Sequence, residues 1–162
     1  MLTYNDLPAS AINKLLADFG LSIETVLPEQ AIPGSYWGEP EAGLIGSRLY
    51  VRADTPVHSL LHESCHYICM PEERRRQLDT NAGGDYAEEN AVCYLQILLA
   101  DMVAGYSTAQ CMSDMDTWGY SFRLGSAQTW FCQDAEDAKA WLIRKGILHG
   151  PPSKIRLPLP LK

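Results

Sequence analysis

Pro56-Val57-His58-Ser59-Leu60-Leu61-His62-Glu63-Ser64-Cys65-His66-Tyr67-Ile68-Cys69-Met70 is the stretch on which the fold turns. Val57, Leu60, Leu61, Ser64 and Ile68 recur at i, i+3, i+4, i+7 and i+11, which makes a core-facing helical stripe. Thr55 or Asp54 offers an N-cap, Pro56 fits a first turn where its missing N–H costs nothing, and Pro71 ends the helix. His62 and His66 lie one turn apart, to one side of the stripe, where the helix wall borders a cleft. Two imidazoles at that spacing converge on one ion, and the geometry suits tetrahedral Zn²⁺. Glu63, beside the first of them, can reach a metal-bound water and act as general base. The bland alternative is a surface helix that happens to carry two histidines.

A catalytic zinc takes three protein ligands. His58 cannot share an ion with both partners, because it stands about 12 Å from His66 along the helix axis. It reads as a cleft-wall residue or a solvated one. The next helix, roughly residues 86–105, has an apolar face of Ala91, Val92, Leu95, Leu98, Leu99 and Met102. Glu88 falls within that stripe, while Glu89 falls more than a quarter-turn away, with Gln96. A carboxylate aimed into a core needs a partner, and zinc supplies one. The competing reading makes Asp85 an N-cap and Glu88 the N3 residue of a capping box. Glu89, Asp85 and Asp79 are the other candidate ligands.

The HExxH sequence, followed by Glu88-Glu89-Asn90-Ala91 and an apolar helix through Leu98-Leu99, resembles the ImmA/IrrE group of small zinc metallopeptidases. More broadly it is similar to the gluzincins, whose pattern is HExxH and then a Glu three residues before Ala on the following helix. The resemblance covers about residues 40–101. It implies an α+β, zincin-like fold: a small twisted β-sheet packed against the HExxH helix and a following helix that carries a Glu ligand. It also implies Zn²⁺ held by His62, His66 and Glu88, with Glu63 catalytic, and hydrolysis of a cytoplasmic protein or peptide substrate. Tyr86, Tyr106 and His149 are candidates to stabilise an oxyanion. The rival reading is a non-catalytic zincin-fold binding module with a closed, structural zinc. A third is a metal-free structural protein.

The chain has 162 residues, 46% of them hydrophobic, and a formal net charge of −7. One globular domain over residues 1–150 with a Pro-rich tail over 151–162 is expected. The charge argues against a nucleic-acid backbone as partner. Arg74-Arg75-Arg76 follows Glu72-Glu73 and reads as a short solvated helix with acids first and bases last. No signal peptide or membrane-spanning run is evident, and five cysteines without CxxC spacing fit a reducing cytoplasm. Cys65 and Cys69 could together bind a thiophilic metal, but small buried thiols are the simpler reading.

Elsewhere, residues 8–19 read as a helix ended by Gly20, and residues 21–27 as a strand. Residues 35–38 and 44–52 read as strands paired around the turn 39–43. Residues 79–84 form a flexible connection, and Asp134 caps a helix that Gly146 ends. Residues 119–132, with Trp118, Tyr120, Trp130 and Phe131, read as aromatic core, or as a hairpin or substrate-facing wall.

Overall fold

The computed structural model describes residues 1–149, together with the backbone of 154–155. It is a mixed α+β structure with a small three-stranded sheet and seven α-helices among the described residues. Most of the tail expected over 151–162 lies outside the described residues.

The sheet order is β1 (Ser22–Val26), β3 (Arg48–Arg52), β2 (Gly43–Ile45), with β1 parallel and β2 antiparallel to β3. The stretch 44–52, expected as one strand, is thus a tight hairpin. Gly46 turns it at φ 56°, in the left-handed region that glycine enters without penalty. Residues 35–38 are not a strand. They belong to a strap, residues 27–42, that runs across the sheet end. Arg52 clamps this strap, donating to the Gln30 carbonyl at 2.7 Å and to Glu39 at 3.1 Å, while Asp54 holds the same guanidinium at 2.6 Å. Gly43 lets the Pro33 carbonyl approach closer than any Cβ would allow.

α1 (Asn13–Ala17) is shorter than the sequence suggested, and Gly20 closes it at φ 83° with Leu21 donating to the Leu16 carbonyl. α2 (Val57–Cys69) is the HExxH helix. Pro56 itself is its N-cap, and Thr55 turns back to accept from the Arg52 amide at 2.9 Å. α2 packs on α4 (Tyr86–Ala100) and on the inner face of β2 and β3. Leu44, Leu49, Val51, Leu60, Leu61, Ala91, Leu95 and Leu99 are fully buried between them.

α3 (Glu72–Arg76) is less solvated than its charge pattern suggests. Arg75 donates to the Tyr67 and Ile68 carbonyls at 2.7 and 2.9 Å, which satisfies the last turn of α2, and its guanidinium lies over the Tyr67 ring. α5 (Thr108–Trp118) and α6 (Ala127–Gln133) were not foreseen, and α6 replaces the hairpin considered for residues 119–132. α7 (Glu136–Arg144) is N-capped by Ala135, because Asp134 instead ends α6 and pairs with Arg123. β4 (Leu148–His149) pairs antiparallel with β5 (Lys154–Ile155).

Candidate metal centre

His62, His66 and Glu89 come together at the mouth of a cleft, with one ligand atom from each lying within 4.8 Å of the others. The Nε2 atoms of His62 and His66 stand 3.0 and 3.1 Å from the two Glu89 carboxylate oxygens. Ligands about 2.0–2.1 Å from a tetrahedral ion stand roughly 3.3 Å apart, close to these separations. The group is therefore close enough to hold a metal ion. Two imidazoles and a carboxylate, with open cleft above them, form a donor set of the kind that leaves a coordination position free.

The tautomer of His62 follows from its neighbours. Gln96, fully buried on α4, donates through Nε2 to the His58 carbonyl at 2.8 Å. Its Oε1, 2.9 Å from His62 Nδ1, must then accept. His62 thus carries a proton on Nδ1 and directs Nε2 to Glu89 and His66, as a ligand imidazole requires. His66 Nδ1 is buried with no partner among the described residues.

Glu88 is corrected by this geometry. Its amide donates to Asp85 at 2.9 Å, as a capping reading expects, but its buried carboxylate pairs with Arg74 and not with the histidines. Arg74 is itself held by the Ala82 carbonyl at 3.0 Å, and Gly84 makes room, since a Cβ there would collide with the Glu88 carboxylate. Asp85 and Asp79 are likewise outside the cluster. Cys65 and Cys69 are buried free thiols whose pKa values burial pushes up, which disfavours the thiolate a metal needs.

Glu63 is buried beside the two histidines. Burial raises its carboxyl pKa, against the lowering pull of His62 and His66. Burial also opposes ionisation of Glu89, but the bonds and charges of His62 and His66 outweigh it and hold this carboxyl well below the usual range.

The cleft has two limbs, which share Trp37, His62 and Glu63. One, of about 430 Å³, runs between the strap, α2 and the end of α5, and is walled by Trp37, Glu41, Ser59, Trp118 and Tyr120. The other, of about 370 Å³, passes Tyr36, Glu89 and the backbone of residues 80–84. Neither is lined by Tyr86, Tyr106 or His149. Tyr86 is exposed elsewhere, Tyr106 is buried and donates to Asp114 at 2.9 Å, and His149 lies in β4. The aromatic hydroxyl at the centre is that of Tyr120, 3.2 Å from His58 Nδ1, with its ring 5.5 Å from that of His62. Trp118 and Tyr120 thus wall the cleft, while Trp130 is core and Phe131 packs against it.

The outer edge of β2 is already occupied. Leu44 donates to the Gly34 carbonyl at 3.4 Å and accepts from the Thr80 amide at 3.0 Å, and Gly46 donates to the Leu78 carbonyl at 2.9 Å. The chain itself thus fills this strand edge.

Trp118 and Tyr120 take the alternative of a cleft wall over that of aromatic core, whereas Gln96 and Glu41 are site residues that the sequence reading missed. Of these two, Gln96 left a signal: it lies seven residues after Glu89, on the same side of an otherwise apolar helix. No protein-family model, curated protein or solved structure significantly matches this chain.

Proposed function

We propose that the protein is a zinc-dependent peptidase. The observation that carries this reading is the convergence of His62, His66 and Glu89 at the junction of two cleft limbs, with Glu63 lining both. Zinc fits this site because a borderline-soft ion accepts imidazole and carboxylate together. When bound, it supplies Lewis acidity that lowers the pKa of water and polarises a carbonyl.

The remaining work falls to the chain's own groups. Glu63 takes a proton from water on a carboxylate oxygen and passes it to the leaving amine. Gln96, by accepting from Nδ1–H, fixes the tautomer in which the neutral His62 ring presents Nε2 as the ligand atom. Trp37, on the strap, lines both limbs and walls the junction where they meet. A cytoplasmic protein or peptide is the substrate class this reading implies. Among the described residues no helix is long and apolar enough to cross a membrane.

The rival is a binding module with a structural zinc, which calls for a closed site of four protein ligands. The cluster offers three donors among the described residues, which favours the open, catalytic reading.

The test is Glu63→Gln in zinc-loaded protein, assayed on a pooled library of quenched-fluorescence peptides. Cleavage is expected to fall by at least about 100-fold while one zinc per chain is retained. Undiminished cleavage by this variant, or wild-type protein that takes up no zinc, would sink the proposal.

A further inference from the structure

We propose that the cleft limb between α2 and the end of α5 is a subsite for a lysine or arginine side chain of a peptide substrate. The assignment rests on the peptidase reading of the adjoining centre.

Three observations point to a cation. First, the walls are aromatic: Trp37, Trp118 and Tyr120 line the limb, and Trp37 and Trp118 keep 79% and 40% of their surface exposed. Indole faces attract ammonium and guanidinium groups and also cover the aliphatic stem of either side chain. Second, Glu41 is half-buried in the same limb, where it accepts from Trp118 Nε1 at 2.7 Å. Ser59, one turn before His62, fixes the end of the strap by accepting from the Ala42 amide at 3.0 Å, so Glu41 is held at a set distance from the metal centre. Third, among the described residues no lysine or arginine lines the limb. Glu39 and Glu63 also line the limb, but Arg52 pairs with Glu39 and Glu63 stands beside the histidines of the metal centre, so Glu41 is the carboxylate left for an incoming charge.

The same chemistry rejects competitors. A neutral apolar side chain would cover Glu41 without pairing it, which costs free energy. An acidic one would meet like charge. The other limb is walled by Tyr36, Trp37 and residues 80–84, and its acids among the described residues, Glu63 and Glu89, are engaged at the metal centre, so neither is left for an incoming charge.

The experiment uses N-acetylated, C-amidated quenched peptides that differ at one residue beside the cleaved bond: Lys, Arg, norleucine or Glu. Binding is measured separately on zinc-loaded Glu63→Gln protein through its tryptophan fluorescence. Lys and Arg peptides should bind and be cleaved at least about ten-fold better than the norleucine peptide. Glu41→Gln should erase that advantage, and Glu41→Lys should turn it toward the Glu peptide. Cleavage without a basic preference, or a preference that survives Glu41→Gln, overturns the subsite and leaves the peptidase reading standing. Preferential binding without cleavage supports the subsite and removes the peptidase reading. A preference seen only in peptides with a free α-amine overturns the side-chain assignment.

Discussion

Glu88 and Glu89 are neighbours on the first turn of α4, yet they serve different parts of the molecule. Glu88 points into the packed side, where Arg74 and Gly84 enclose it. Glu89 points along the cleft to His62 and His66. The lesson is that a buried carboxylate and a ligand carboxylate have different needs. The first must find a charge inside the fold. The second must stand at the edge of the apolar stripe, where its helix borders open space. His62 and His66 occupy such an edge position on α2, and the same rule applied to α4 selects Glu89.

The most direct way to break this comparison is to remove each carboxylate in turn. Glu89→Gln should weaken zinc binding by more than about 100-fold in a chelator competition, beyond the loss expected for an outer partner. Glu88→Gln should leave zinc affinity within a few-fold of wild type. The opposite pattern would return the ligand role to Glu88.

Glu88→Gln should show its effect in stability. Breaking a fully buried ion pair costs about 3–5 kcal/mol, and Arg74 is about one-third exposed, so a loss of about 2–3 kcal/mol is expected in urea unfolding. Glu89→Gln in metal-free protein should cost less, because its side chain is 46% exposed.

Gln96 sharpens the Glu89 side. Gln96→Met keeps the volume but removes the acceptor for His62 Nδ1, and it should weaken zinc binding by about 10–100-fold. A smaller change would mean that the ring is oriented by packing alone.

Away from the two carboxylates, the pH dependence of stability tests His58, whose imidazole burial pushes down to about 3, with the charge of His62 acting in the same direction. Between pH 3 and 6.5 the unfolded chain therefore binds the proton and the folded chain does not. Stability rises with pH across that window and is lost as pH falls. Metal-free His58→Asn should flatten the slope by up to about 1.4 kcal/mol per pH unit. An unchanged slope would show that His58 titrates normally.

Much of α2 and α4 was legible because each carries a strong apolar stripe, although α4 stops at Ala100, short of residue 105, and leaves Met102 exposed. Gln96 and Glu89 stand as a polar pair on one side of α4, and Glu89 was legible as an alternative ligand, but the greater burial expected of Glu88 favoured the wrong neighbour. Arg74 was not, because a run of three arginines after two glutamates looks solvated until a buried acid is found 14 residues later. The break in residues 44–52 rested on Gly46 alone, against β-rich sequence on both sides. α5 buries only Cys111, Asp114 and Met115, too thin a stripe to read, although its ends are marked by the Ser107 cap and by Gly119 at φ 107°.

By itself the sequence determined the pair of histidines on one helix face, the acid between them, and a following helix rich in carboxylates. These follow from local periodicity, which acts over one or two turns. Only the tertiary structure decided which carboxylate meets the histidines, that the chain covers its own strand edge, and that Trp37, Glu41 and Trp118 share a cleft. Those outcomes depend on how helices and strap dock against one another, and docking is set by packing and charge pairing between residues far apart in the chain.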